Sequence, residues 1–369
     1  MKIKVGAPLA ASFVALMATS WAGEDQKYDL TLYGLGHLSL DQADNVPDDA
    51  ARLASNSSRI GARGKFRLND AIAVIAQFEQ GIDLTNAGSN DGNGPGDTSD
   101  VFTRARDSYI GITGAFGTLK YGRQGLLNQW LYDVNYFADQ VGDLGNIWGG
   151  TGYAGRGDNT VSYETPDFNG FSGIVLYTAS PSDTADDEIF AFKGQYKNNG
   201  WSLAAAWSEA TPMVSSLEEH TVAALTAQFR FPKTTMNGID ISGSVIGAGF
   251  QSESDIGGVS GNDRDSFTLG GALNVDGRHT FKAQYTMSDS EYSDGDANQF
   301  ALGYDFALTD YLTLYAAYAE TRNDDLAAFT ANNYGHGKAQ GPDSLGADPA
   351  VFSIGAVFSF ECSCSDWGK

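Results

Sequence analysis

The chain of 369 residues carries 23 lysines and arginines against 46 aspartates and glutamates, a formal charge of −23. So acidic a chain repels phosphate backbones, which excludes nucleic acid as an expected partner and favours cations, or divalent ions bridging anionic lipid headgroups. The only cysteines, Cys362 and Cys364, fall in the last eight residues, so neither a disulfide framework nor a thiolate zinc site can be built inside the fold, and no cofactor or metal is expected.

At the N-terminus, Lys2 and Lys4 precede an apolar stretch from Val5 to Ala18, and Ser20-Trp21-Ala22 has the small-x-small form of a cleavage site. Residues 1–22 are expected to be a secretory signal peptide, leaving a β-domain over 23–360 and a tail over 361–369. Removing Lys2 and Lys4 leaves 21 basic side chains against 46 acidic ones, a charge of −25. No run of 18 apolar residues follows, which excludes a helical membrane protein. With 45 Gly, 21 Phe, 17 Tyr and only 9 Pro, the remaining chain is built for strands: a soluble β-protein or a membrane barrel.

Period-two alternation recurs throughout. Phe267, Leu269, Gly271, Leu273 and Val275 oppose Thr268, Gly270, Ala272 and Asn274. Phe300, Leu302, Tyr304, Phe306 and Leu308 oppose Ala301, Gly303, Asp305 and Ala307, while Phe352, Ile354, Ala356, Phe358 and Phe360 share one face. The connections decide between sandwich and barrel, because short turns alternate with long acidic loops. Turns are expected at Leu68-Asn69-Asp70, Gly114-Ala115-Phe116, Asp167-Phe168-Asn169, Lys197-Asn198-Asn199, Pro232 to Gly238, Val275-Asp276-Gly277 and Ala307-Leu308-Thr309. Loops fall near 41–56, 83–100, 124–157, 180–188, 209–218, 251–264, 289–297 and 322–348. The expected fold is all-β, a transmembrane antiparallel barrel of about 16 strands with long extracellular loops.

On the strand near 57–68, Ile60, Ala62, Gly64, Phe66 and Leu68 take one face, so Arg59, Arg63, Lys65 and Arg67 take the other. Each cation facing hydrocarbon near the midplane costs ~2–4 kcal/mol, which turns this face to the lumen. The same parity places Arg104, Arg106 and Ser108 on the lumen side and Tyr109 toward lipid. Clustered guanidiniums need water or acids opposite them, and the long segment 124–157 offers Asp133, Asp139 and Asp143.

These residues carry a resemblance. Tyr33-Gly34, Ser58-Arg59-Ile60-Gly61-Ala62-Arg63-Gly64, Arg106-Asp107-Ser108-Tyr109-Ile110-Gly111, Phe116-Gly117-Thr118-Leu119-Lys120-Tyr121-Gly122-Arg123 and Arg156 to Tyr163, closing with Pro166, Phe168, Gly170 and Phe171, occur in an order that resembles the general porin family of outer-membrane channels. The likeness covers residues 28–360. It implies a homotrimer of sixteen-stranded barrels, a third loop folded into the lumen, and passive diffusion of small hydrophilic solutes and ions. It also implies a basic ladder of Arg59, Arg63, Arg106 and Arg156 with Arg104, facing acids on the loop; Asp133, Asp139 and Asp143 are nominated by charge and position alone. Two departures stand out. Leu35 occupies the lumen position after Tyr-Gly where members often carry a cation, and Phe360, where members usually stop, is followed by Glu361 to Lys369.

The net charge predicts a weak cation preference. Trp130, Tyr132, Tyr136, Phe137 and Trp148 could form a sugar-stacking path, as in a saccharide-specific porin, although packing of the loop on the wall is the simpler use. Asp91, Asp97 and Asp100 among glycines fit no rigid calcium motif. An outer-membrane barrel enzyme is the remote alternative, because His37, His220, His279 and His336 show no nucleophile or metal-ligand spacing.

Overall fold

The computed structural model describes residues 28–47, 49–85, 101–125, 133–148, 155–179, 188–212, 214, 216–337 and 339–363. The expected signal peptide lies outside them, as do Asp91, Asp97, Asp100, Trp130, Tyr132, Cys364 and the side chain of Arg104.

Among the described residues, nineteen strand segments follow one another. The first six are β1 (Tyr28–Asp44), β2 (Arg52–Ser55), β3 (Arg59–Arg67), β4 (Ile72–Ile82), β5 (Phe102–Gly114) and β6 (Gly117–Gly125). A single helical turn, α1 (Gly145–Trp148), precedes β7 (Arg156–Glu164), β8 (Phe171–Thr178), β9 (Glu188–Asn198), β10 (Trp201–Thr211) and β11 (His220–Arg230). Then come β12 (Thr234–Met236), β13 (Ile239–Ile241), β14 (Val245–Ser254), β15 (Arg264–Val275) and β16 (His279–Ser290). The last are β17 (Ala297–Thr309), β18 (Leu312–Asn323) and β19 (Ala350–Ser363).

Neighbours pair antiparallel, and β1 pairs with β19 from Thr31↔Ser363 to Asp44↔Ala350. That last ladder closes the sheet and removes the edge N–H and C=O groups that hydrocarbon could not hydrogen-bond. Segments β2 and β3 make one crossing broken at Asn56–Ser58, and β12 with β13 form a small hairpin between β11 and β14, so sixteen crossings build the barrel. The count agrees with the expectation from alternation. Segment β19 runs on to Ser363, so the first residues of the expected tail, including Cys362, belong to the wall.

Local chemistry sets the short end. Asn169-Gly170, Asn199-Gly200, Asn237-Gly238 and Asp276-Gly277 all have positive φ at both residues, 57° and 91° in the first pair and 52° and 66° in the last. Tight hairpins whose twist matches the strands need this left-handed pair, which Asn, Asp and Gly adopt at least cost. The turn expected at Ala307–Thr309 instead lies at Asp310–Tyr311. Leu308 is the extra residue of a bulge between Ala307 and Thr309, which carries β17 further than alternation alone suggests. Aromatic pairs such as Phe171–Tyr196, Trp201–Phe229 and Phe281–Tyr304 gather near this end, where ring faces suit the boundary between hydrocarbon and water.

The two faces differ as the sequence requires. Leu269, Phe281, Phe300, Leu302, Phe352 and Ile354 are exposed on the outside, whereas Thr268, Thr286, Gln299, Ala301 and Ser353 are buried within. Leu302, 47 % exposed and midway along β17, is expected to touch lipid. Leu302→Arg should therefore cost ~2–4 kcal/mol in urea unfolding of vesicle-embedded protein. An unchanged midpoint would place this face outside the hydrocarbon.

Candidate functional site

Residues 133–148 lie inside the barrel against the lumen face of β8 to β18, and small residues of the wall make that possible. A side chain at Gly303 would meet the Phe137 ring, and one at Gly249 would meet the Trp148 ring. Phe137, Val141, Leu144, Ile147 and Trp148 are buried against Leu176, Ala191, Ala206, Ala224, Ala301 and Ala317, so this half of the lumen is dry. Polar wall residues pin the segment. Gln228 Nε2 donates to Asp133 O at 2.9 Å, Tyr136 N–H donates to Gln284 Oε1 at 3.0 Å, Lys282 Nζ donates to Gln140 Oε1 at 2.8 Å, and Gln251 Nε2 donates to Trp148 O at 3.1 Å.

The opposite half is charged. Arg106 Nε sits 2.5 Å from Glu79 Oε1, Arg156 Nε sits 2.5 Å from Asp107 Oδ1, and Arg63 sits 2.6 Å from Glu361 Oε1. Arg59 lies 3.9 Å from both Glu79 Oε2 and Asp139 Oδ2, while its Nη1 donates to Ser57 O at 3.0 Å. Tyr33 joins the group, donating to Glu79 Oε2 at 2.9 Å beneath the Arg63 guanidinium, which stands 5.4 Å over its ring. Four cations thus meet four acids. Glu79 and Glu361 escaped the sequence reading, yet the short turn after β3 sets a register in which Glu79 opposes Gly61, between Arg59 and Arg63. Leu35 lies opposite Arg59 in the β1–β3 register, the lumen position expected for it.

Three expected positions change. The β4–β5 ladder shifts register between Phe78 and Gln80, with Phe78 opposite Ser108 and Gln80 opposite Ala105. This bulge brings both Arg106 and Asp107 into the lumen and reverses the parity that follows. Tyr109 therefore faces the lumen, its hydroxyl 3.3 Å from Gln77 Oε1 and its ring 5.3 Å beneath Lys120 Nζ, while Ser108 takes the outward parity of Ile110 and Ile112. Of the three nominated acids, only Asp139 reaches the arginines. Asp133 pairs with Lys193 on β9 at 2.6 Å, on the dry side.

Asp143 is fully buried and organises the segment itself. Its carboxylate accepts Asn135 Nδ2 at 2.8 Å and the N–H groups of Asp139 and Gly145 at 2.7 Å each. Burial, reinforced by the Asp139 charge, pushes its carboxyl up to about 8 against those three donors. Arg104 lies on β5, and its backbone position is all that is described.

A family model described as Gram-negative porin matches residues 7–326. The chain belongs to the Gram-negative porin family. This porin is therefore an outer-membrane β-barrel that crosses the membrane with strands. It is 25 % identical over 347 residues to outer membrane porin protein 32 of Delftia acidovorans, covering 85 % of this chain and 89 % of that one. It is 28 % identical over 224 residues to a chitoporin of Vibrio furnissii, covering 57 % of this chain. The match spans 58 % of that chitoporin and likewise 58 % of a major outer membrane protein P.IB of Neisseria gonorrhoeae, little more than half of each relative's length. In fold it is similar to an anion-selective porin from Comamonas acidovorans, with a TM-score of 0.73, 22 % identity, and coverage of 90 % of this porin and all of that chain. The trimer form of OmpT of Vibrio cholerae gives a TM-score of 0.63 at 19 % identity, over 90 % of this porin and 99 % of that chain.

The Asp143 carboxyl, raised from 3.8 to about 8, gives the anchored segment a pH dependence. The folded state holds a proton that the detached segment releases above its ordinary value. The segment is thus held most firmly in acid and loosens as pH rises from about 4 to about 8. Amide protection of Asp139 to Gly145, corrected for intrinsic exchange rates, should fall over that window, and Asp143→Ala should remove the dependence. Flat protection in the wild type would show that the carboxyl is not held protonated.

Proposed function

We propose that the chain forms a passive channel for small hydrophilic solutes and ions across the outer membrane. The observation that carries this reading is a closed barrel whose inward segment brings Asp139 to within 3.9 Å of Arg59 on an otherwise water-facing charged wall. Solutes enter at the long-loop end, pass between segment 133–148 and the row Arg59, Arg63, Arg106 and Arg156, with Arg104 alongside, and leave at the short-turn end without energy input. Asp139 is the segment's contribution to the constriction; Asp133 and Asp143 hold it in shape. Phe137 and Trp148 are spent on wall packing rather than offered to sugar rings, which favours general diffusion over saccharide selection.

Selectivity follows from how the charges are compensated. Arg59, Arg63, Arg106 and Arg156 are matched by Glu79, Asp107, Asp139 and Glu361, so this part of the constriction is close to neutral. The acid excess elsewhere, within a formal charge of −23, then tips permeation weakly toward cations. This differs from the anion selectivity named for the Comamonas relative. Assembly as a homotrimer is supported by the trimer form of the Vibrio cholerae neighbour. Lipid and lipopolysaccharide surround the outer wall.

Planar-bilayer recording of purified protein should give ohmic conductance steps, and their absence would remove the channel reading. Under a salt gradient the reversal potential should report a weak cation preference, strongest at low salt where the Debye length is long. Replacing Arg59 and Arg63 with alanine should increase that preference, and Glu79→Gln should move it toward anions. Reversal potentials unmoved by either change would show that these residues do not line the narrowest passage.

A further inference from the structure

Of the ion pairs on the charged wall, Arg63–Glu361 is the one whose two partners are both about half exposed. Its side chains are 50 % and 58 % exposed, against 10 % and 9 % for Arg106 and Glu79. Register explains the difference. On the lumen face β1 presents Tyr33 between Glu361 of β19 and Gly61 of β3, so Arg63 reaches across β1 to its acid. A Cβ at Gly61 would overlap the Tyr33 ring, which lies over that glycine with its hydroxyl on Glu79 and the Arg63 guanidinium 5.4 Å above its face. The bridge therefore sits on top of an aromatic ring, where lumen water and solutes reach it.

Beside the bridge lies a recess of about 800 Å³ lined by Tyr33, Leu35, Arg63, Gln77, Asp310 and Glu361. Three kinds of surface meet in it: a guanidinium, a carboxylate, and the apolar pair of Leu35 and the Tyr33 ring. Both departures from the porin pattern contribute, because Leu35 stands where members often carry a cation and Glu361 belongs to the chain beyond Phe360. Arg59 and Glu79 border the same space but are engaged, Arg59 by Asp139 and the Ser57 carbonyl, Glu79 by Arg106 and Tyr33.

We propose that this recess is a subsite for small zwitterions that carry an apolar side chain, the chemistry of neutral α-amino acids. The inference rests on the channel reading above and names the solutes that pause in that passage. Charge balance is the reason. A carboxylate that docks on Arg63 displaces Glu361, and a lone anion leaves that acid without its cation. A lone ammonium on Glu361 leaves Arg63 unbalanced in the same way. A zwitterion exchanges both partners at once: its carboxylate takes the planar, two-pronged guanidinium, its ammonium takes Glu361, and every charge stays paired. Its side chain then lies along Leu35 and the Tyr33 ring, where burial of apolar surface adds what an exposed ionic exchange alone does not supply. The exposed position keeps the subsite weak, so the solute leaves again, as conduction requires.

The test uses the full-length protein in planar bilayers at neutral pH and reads, for each added solute, the concentration giving half of the maximal reduction in ion current. Leucine should act at roughly fivefold lower concentration than isocaproate, which lacks the ammonium, isoamylamine, which lacks the carboxylate, or glycine, which lacks the side chain. Glu361→Gln and Arg63→Gln should each bring leucine level with its one-charge analogues, and Leu35→Ser should erase its advantage over glycine. As a second measurement, saturation transfer from the detergent-solubilised protein to the leucine methyl groups should be strong in the wild type and lost in Glu361→Gln. Equal half-block concentrations for leucine and its one-charge analogues in the wild type, or an advantage that survives in either Glu361→Gln or Arg63→Gln, overturns the subsite. Absence of any conductance removes the channel reading instead, and the saturation-transfer comparison then decides the subsite alone.

Discussion

Hydrocarbon offers no hydrogen-bond partners, and the rest of this structure answers that constraint. A sheet in lipid must close on itself, and the β1–β19 ladder performs the closure over fourteen residue pairs. Closure assigns one face of every strand to lipid. Charge can then go only inward, which is why Arg59, Arg63, Arg106 and Arg156 converge without any local sequence signal to gather them. The same logic reaches the connections. The long-loop end, facing water, can spend residues on segments that fold back inside, while the short end is closed by tight turns, four of them Asn-Gly or Asp-Gly.

Inside, the lumen divides into two halves with different chemistry. On β8 to β18 small inward residues such as Ala191, Ala206, Ala224, Ala301 and Ala317 accept the apolar side of residues 133–148, while amides and lysines between them, Gln228, Gln251, Gln284, Lys193 and Lys282, pin its polar groups. On β3 to β7 and β19 the inward positions are cations and acids. The passage is therefore asymmetric, and its charged side is stitched by ion pairs between strands and to the inward segment. The Arg63–Glu361 pair is about half exposed and contributes little to stability, whereas the Arg106–Glu79 pair is buried. Their effect on permeation is larger, because they fix guanidinium positions that water alone would leave free.

Much of this was legible in the sequence because alternation is a local property. The outward faces of 267–275, 300–308 and 352–360, the sixteen crossings and the inward turn of Arg59 and Arg63 all follow from period two and the cost of charge in lipid. What alternation cannot foresee is a change of phase. The bulge at Arg106-Asp107 and the one at Leu308 each shift parity by one residue, and so Tyr109 was expected on the wrong face and a turn two residues early. Asp143 was misjudged for a different reason. Its sequence position says that it lies on an acidic loop, but only the fold shows three N–H donors closing around it. Glu79 was recoverable: counting back from the short turn after β3 sets it between the two arginines.

The bulges also bear on how such a channel can diversify. In a regular strand, adjacent residues cannot both face the lumen, so a cation next to an acid in sequence is separated from it by the sheet. At the β5 bulge Arg106 and Asp107 both point inward, and each then pairs across to a different neighbour, Glu79 on one side and Arg156 on the other. One inserted residue thus couples β4, β5 and β7 into a single alternating row of charge. Removing a member of that row would leave its neighbour's partner unmatched rather than simply subtract one charge, so the selectivity of this wall is a property of the row and not a sum over its residues.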